Sequence, residues 1–193
     1  MTSRTFIGLM LIVGSILNFG GWAANAEIDN SNVGLTKLSL SIATLGMLIL
    51  AAGFYGLTDS MSKGPGALYA KIGLSIYLIG TAIAIIEPAL IIGSAEAIAK
   101  GNQALGDTID AVQLSIASAG VGIYFLGFAI IGFAIFVEKN INTIIAGLMI
   151  VMGMIGAFFS GYDYESELML PSYLSHAVLP VVAGILFLRS KES

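Results

Sequence analysis

The sequence predicts an all-α polytopic membrane protein, a six-transmembrane-helix bundle that forms one domain over residues 1–193. Three observations lead to this fold class. The chain is 57% apolar and 10% charged, with a mean hydropathy of +0.95, whereas a soluble domain is about a quarter charged. Near-uncharged segments of about 20 residues, the length that crosses a bilayer, recur along it. Lysine and arginine fall unevenly between those segments, which predicts an orientation.

The spans are predicted as helices, because a transmembrane barrel strand would alternate apolar and polar residues and residues 78–86 show no such alternation. They cover residues 5–24, 38–57, 72–93, 111–137, 141–161 and 171–188. The first span also resembles a secretory signal, since Arg4, an apolar run and Ala24-Asn25-Ala26 match its basic start, core and cleavage site. We expect it to be retained as a membrane helix, with cleavage as the alternative.

The basic residues predict which side of the membrane each connection occupies, because cytoplasmic loops carry an excess of lysine and arginine. With the N-terminus inside, the inner side holds Arg4, Lys63, Lys71, Lys139, Arg189 and Lys191, and the outer side holds Lys37 and Lys100. We therefore expect a cell-membrane protein with both termini in the cytoplasm. Most carboxylates fall on the outer side, where we interpret them as a solvated surface.

Glycine is the residue type that we expect to pack the helices, because small residues let membrane helices approach closely. The chain has 24 glycines, and the fourth and fifth spans present glycine faces that we assign to packing within the chain, with a homo-oligomer or partner subunit as the alternative. Residues 76–80, Ile-Tyr-Leu-Ile-Gly, are similar to residues 123–127, Ile-Tyr-Phe-Leu-Gly. We interpret this similarity as chance in a restricted alphabet rather than as a duplication.

Apart from tyrosines, Glu87 and His176 are the two ionisable side chains well inside a predicted span. Each lies about 8 to 9 Å below the outer surface, counted at the helical rise, and ionisable groups in a membrane mark functional sites by default. Asn18, Thr44 and Ser118 lie at comparable depth. These five residues form a predicted polar layer that binds a proton, a cation or a small ligand.

Prolines next to this layer predict interruptions of the helices. Pro88 follows Glu87 and frees the carbonyl of Ala84, and Pro180 frees the carbonyl of His176. Irregular backbone at membrane depth lines protein or water, so we expect spans three and six to adjoin and to present Glu87 and His176 to one outward-opening cavity. The alternative is that Glu87 makes a structural hydrogen bond between two helices.

The composition argues against most chemistry. Without cysteine and with one histidine, the chain lacks thiolate metal sites and bis-histidine haem, and it carries no nucleophile motif or phosphate loop. We expect no metal, no cofactor and no nucleic acid. We interpret four aromatic residues as an interfacial belt, with a stacked quinone or lipid headgroup as the alternative: Trp22, Tyr162, Tyr164 and Tyr173.

Two resemblances to known families follow from particular residues. Ser118 in the fourth span and His176 in the sixth resemble the serine and histidine of rhomboid intramembrane proteases, although Ala117-Ser118-Ala119 departs from the Gly-x-Ser-Gly pattern of that family. The turns Ser62-Lys63-Gly64-Pro65-Gly66 and Glu138-Lys139-Asn140, with the region 51–88, resemble a prokaryotic family of small six-helix membrane proteins of unknown function. That resemblance implies a six-helix fold and no catalytic motif.

These observations favour a non-catalytic accessory or packing subunit of a membrane complex. Its partners would be the lipid bilayer and either other membrane subunits or copies of itself. A first alternative is a protein that binds or transports a small solute, ion or lipid through an outward-facing polar cavity at Glu87 and His176. A remote alternative is a rhomboid-like protease that uses Ser118 and His176.

The predicted orientation is testable because the natural chain contains no cysteine. Single cysteines at Lys63, Lys139 and Ser193 are expected to be shielded from an impermeant thiol reagent in intact cells, whereas a cysteine at Lys100 is expected to react. Labelling of the first three positions without permeabilisation would contradict the orientation.

Overall fold

The computed structural model describes residues 3–28 and 32–189, and this part of the chain is helical, without strands. A turn of 3-10 helix, Glu167–Met169, leads directly into the last α-helix. The α-helices are α1 (Ser3–Ala26), α2 (Val33–Asp59), α3 (Ala67–Ala84), α4 (Ile86–Ala99), α5 (Gln103–Glu138), α6 (Thr143–Tyr162) and α7 (Leu170–Arg189).

Six helical segments in the described residues are long and apolar enough to cross a membrane, which confirms the all-α class. They are Ser3–Ala26, Val33–Asp59, Ala67–Ala99, Gln103–Glu138, Thr143–Tyr162 and Glu167–Arg189. Most extend beyond the predicted spans, because helices continue past the apolar stretch to a polar cap. Asn32, Asn102 and Asn142 each cap a helix by accepting a hydrogen bond from a backbone N–H of its first turn.

The two ends of the bundle differ in charge. The acidic end, as we name it, carries the α1–α2, α4–α5 and α6–α7 connections, and the basic end carries the α2–α3 and α5–α6 connections with the start of α1 and the end of α7. At the basic end, Nε of Arg4 donates to the carbonyl of Phe187 at 2.8 Å. The guanidinium carbon of Arg4 also lies 4.7 Å from the Phe187 ring centroid, so this residue links α1 to α7.

Glycines bring antiparallel helices into backbone contact. In the α3–α5 pair, a Cβ at Gly80 would overlap the backbone of Tyr124, and a Cβ at Gly127 would overlap the backbone of Tyr77. The two similar pentapeptides therefore pack against each other reciprocally. In the α5–α6 pair, a Cβ at Gly153 would lie 2.8 Å from the Ala129 backbone nitrogen.

The expected use of these glycines within the chain is confirmed for Gly127, Gly132, Gly153 and Gly156. The expectation that Gly147 packs within the chain is wrong, because a Cβ there would meet no atom within 4 Å. Helices α1 and α2 also come into close contact at a glycine, because Gly14 lies against Leu50.

The third span breaks next to the proline that predicts an interruption. Helix α3 ends at Ala84, Ile85 joins it to α4, and Pro88 is the third residue of α4. The backbone N–H of Ile85 still donates to the carbonyl of Thr81 at 3.0 Å, so the helical ladder persists up to the junction. Pro88 has no N–H to continue it. Helix α7, in contrast, runs uninterrupted past Pro180.

Replacing Gly80 with alanine tests the backbone contact between α3 and α5. The added methyl group would overlap the Tyr124 backbone, so Gly80→Ala should lower the free energy of unfolding by about 1 to 3 kcal/mol, as overpacking does. Gly147→Ala is the matched control, because alanine there meets open space and favours the helix. Unfolding midpoints in mild detergent provide the measurement, and equal midpoints for both variants would contradict the contact.

Candidate functional site

A cavity of about 410 Å³ lies in the acidic half of the bundle, between α1, α2, α3, α4, α5, α7 and the α6–α7 connection. Its walls are largely apolar and aromatic. Phe19 and Leu170 line it while being 40% and 57% exposed, so the cavity reaches the protein surface at an apolar rim. Its polar groups belong to Asn18, Glu87, Tyr124, Tyr164, Tyr173 and His176.

Glu87 lies at the start of α4, just after the helix break, and is only 6% exposed. Its Oε1 accepts a hydrogen bond from Nε2 of Gln113 at 2.9 Å and another from the hydroxyl of Tyr164 at 2.9 Å. No described residue donates a hydrogen bond to Oε2. This atom is nevertheless not among the fully buried side-chain atoms that lack a hydrogen-bond partner, so Oε2 is not fully buried. Since Glu87 lines the cavity, we infer that its second oxygen faces the cavity.

Both groups that hold Glu87 are neutral. Among the described residues, the ion pair at the acidic end joins Lys37 to Glu96, so Lys37 does not pair with Glu87. Burial raises the pKa of the Tyr164 phenol well above its usual range, with a smaller contribution from the neighbouring Glu87, so this phenol remains a protonated donor. An ionised Glu87 would therefore be a buried charge without a counter-charge, which is costly unless a proton or a cation balances it.

His176 lies on α7, lines the same cavity as Glu87 and is 4% exposed. Its Nε2 is 3.2 Å from the hydroxyl of Tyr77, and the hydroxyl of Tyr124 also contacts the imidazole nitrogens. The ring centroids of Tyr124 and Phe128 lie 4.4 and 5.0 Å from that of the imidazole. His176 is therefore enclosed by aromatic rings and is paired with tyrosine hydroxyls.

Glu87 and His176 line the same cavity, as the sequence predicts, but they do not hydrogen-bond to each other. The prediction that spans three and six adjoin holds only for the α3 part of span three, where the hydroxyl of Tyr77 lies 3.2 Å from Nε2 of His176. Helix α7 packs chiefly on α1 and α6, whereas α4 packs chiefly on α2 and α5.

The remaining residues of the predicted polar layer divide between the cavity and other surfaces. Asn18 lines the cavity, and its Nδ2 donates to the carbonyl of Ala43 at 3.1 Å. Thr44 lines a separate, shallower groove between α2 and α4 and donates to its own helix. Ser118 donates to the carbonyl of Ser115 at 3.3 Å. Equal depth does not place residues on one face of a helix, which is why Thr44 and Ser118 do not join the site.

The serine and histidine of the rhomboid-like alternative are not brought together. The Ser118 hydroxyl bonds within α5, and its carbonyl accepts from the hydroxyl of Ser160 at 2.6 Å. The imidazole of His176 contacts Tyr77 and Tyr124 instead. The described residues therefore hold no hydrogen-bonded Ser118–His176 dyad.

Sequence reasoning missed three residues of the site and misassigned others. Gln113 lies near the predicted start of span four and was not singled out, and Tyr77 and Tyr124 were visible only as the repeated Ile-Tyr segments. Of the predicted aromatic belt, Tyr162 is 77% exposed, as an interfacial residue would be. The other three residues line the cavity: Trp22 from α1, Tyr164 from the α6–α7 connection and Tyr173 from α7.

Comparisons with protein-family models, curated proteins and solved structures found no match. The resemblance to a six-helix family stays a prediction. The two turns that carry it contact each other at the basic end, where the N–H of Gly66 donates to Oε2 of Glu138 at 2.9 Å.

Replacing Gln113 with leucine tests the anchoring of Glu87. The variant removes one of two donors to a buried carboxyl, so the free energy of unfolding should fall by about 1 to 3 kcal/mol. Gln103→Leu is the control, since Gln103 bonds to Asp107 on the exposed start of the same helix and its loss should change stability by about 0.5 kcal/mol or less. Unfolding midpoints that fall equally in both variants would show that the Gln113 bond is unimportant.

Proposed function

We propose that this chain is an integral protein of the cell membrane that binds a small amphipathic molecule in the cavity beside Glu87. Both termini lie in the cytoplasm in this proposal, and the acidic end with its cavity faces outward. The excess of basic residues at the other end supports the orientation. The cavity of about 410 Å³ around a buried carboxyl is the observation that carries the function.

The size of the cavity supports a binding site. Protein interiors are close-packed, and few of their voids are larger than a water molecule. Cavities that bind small molecules range from about 300 to 1,000 Å³ and combine apolar walls with a few convergent polar groups. The cavity has that size and that lining, and Glu87 and His176 are among its polar residues.

The distribution of polarity favours an amphipathic ligand. Phe19, Trp22 and Leu170 contribute apolar and aromatic surface where the cavity approaches the surface, and Met47 and Val121 line it within the bundle. A molecule that enters from the outer part of the bilayer would keep its apolar body against these side chains. Its polar group would then meet Glu87 or the tyrosine hydroxyls.

The arrangement supports binding rather than catalysis. The His176 imidazole contacts the hydroxyls of Tyr77 and Tyr124, and the described residues that line the cavity include no serine, threonine or lysine that could act beside it as a nucleophile. The expectation of an accessory subunit stays a prediction. Binding of an amphipathic molecule is compatible with an accessory role, but the proposed function is based on the cavity.

The single tryptophan of the chain allows a direct test, because Trp22 lines the cavity. The full chain is reconstituted in phosphatidylcholine nanodiscs and titrated with undecanol that carries bromine at its far end, since bromine quenches indole fluorescence on contact. We expect saturable quenching of Trp22. In Ala177→Phe, whose larger side chain occupies the cavity, the saturable component is expected to disappear.

Quenching that rises linearly and equally in both proteins would reflect partition into lipid alone. That result would contradict the proposed function. The unfolding midpoint of Ala177→Phe serves as the check that this variant is folded.

A further inference from the structure

We propose that the ligand of this cavity is a lipophilic cation, an amine or quaternary ammonium with an apolar body, whose positive head is bound by Oε2 of Glu87. This inference rests on the proposed function and specifies the chemistry of the ligand. The inference is based on the hydrogen bonds that hold the carboxyl group of Glu87.

The carboxyl of Glu87 is oriented before any ligand arrives. Gln113 and Tyr164 both donate to Oε1, each at 2.9 Å, and they come from different segments, α5 and the α6–α7 connection. Two donors on one oxygen fix the plane of the group and leave Oε2 as an acceptor towards the cavity. Such pre-organisation lowers the entropic cost of binding.

The charge balance of the cavity selects a cation. Among the described residues, its lining contains one carboxyl group and no lysine or arginine. Lys37, on the neighbouring part of α2, is engaged with Glu96, and the His176 nitrogens contact tyrosine hydroxyls rather than Glu87. An anionic ligand would meet a like charge, whereas a cation would supply the counter-charge that the protein lacks.

The aromatic lining suits an organic cation better than an inorganic one. Trp22, Tyr124, Tyr164 and Tyr173 line the same cavity as Glu87, and the faces of such rings attract ammonium groups by cation–π interaction. A hard metal ion requires about six oxygen ligands. The described residues contain no cluster of three or more metal-binding acidic or histidine side chains. A positive head on an apolar body therefore satisfies both kinds of surface.

The test compares two probes of matched length on the full chain in zwitterionic nanodiscs, so that surface charge does not concentrate either probe. One probe is undecyltrimethylammonium with bromine at its far end, and the other is the corresponding neutral alcohol. Saturable quenching of Trp22 gives the affinity of each. In the natural chain we expect the cation to bind about tenfold or more tightly than the alcohol.

Glu87→Gln keeps the size of the side chain and an acceptor for Gln113 and Tyr164 but removes the charge. We expect this variant to bind the cation about thirtyfold or more weakly, as the loss of one partner of a buried charge pair does, and to bind the alcohol about as the natural chain does. Glu96→Gln is the matched control, because Glu96 pairs with Lys37 away from the cavity. It should leave both affinities unchanged.

The outcomes separate the two proposals. If the natural chain binds the alcohol as tightly as the cation, or if Glu87→Gln retains cation affinity, the cationic assignment is overturned while the binding function stands. If neither probe quenches Trp22 saturably in the natural chain, both proposals fail. The comparison of probes within the natural chain does not depend on the folding of any variant.

Discussion

Backbone contact between antiparallel helices at glycine residues is the interaction on which this bundle depends. Helices in lipid gain little from burying apolar side chains against one another, so close approach and van der Waals contact must hold them together. Gly80 and Gly127 provide this contact between α3 and α5, and Gly14 provides it between α1 and α2. The cavity is lined by residues of both pairs together with α4, α7 and the α6–α7 connection.

The break of the third span places the carboxyl group at that cavity. Ile85 separates α3 from α4, so Glu87 stands at the first turn of a new helix directly beside the cavity. Its Oε1 holds together three segments that are distant in sequence: α4, α5 and the α6–α7 connection. The same hydrogen bonds therefore stabilise the acidic half of the bundle and leave the second oxygen free for a ligand.

The sequence predicted the helices, and its count of residues along each span selected three residues that line one cavity, because both depend on counts along one chain segment. Apolar length fixed the spans, and residue counting brought Asn18, Glu87 and His176 to one level. The face on which a residue lies and its partner depend on tertiary packing, which explains the failure for Thr44 and Ser118.

The other discrepancies have the same origin. Tyr164 binds Glu87 because a connection folds back over the bundle, which no local pattern encodes. Pro88 coincides with a helix break whereas Pro180 does not, because a proline removes one hydrogen bond and the neighbouring packing decides whether the helix continues.

The most direct test of the account is chemical labelling of Glu87 by a hydrophobic carbodiimide, which reacts with protonated carboxyl groups reached from an apolar phase. We expect mass spectrometry to find the adduct on Glu87, and we expect the bromine-carrying undecyltrimethylammonium to protect this residue over the concentration range in which it quenches Trp22. A Glu87 that stays unmodified, or that reacts equally at a saturating concentration of the cation, would contradict the claim that its carboxyl group faces the cavity and binds the ligand.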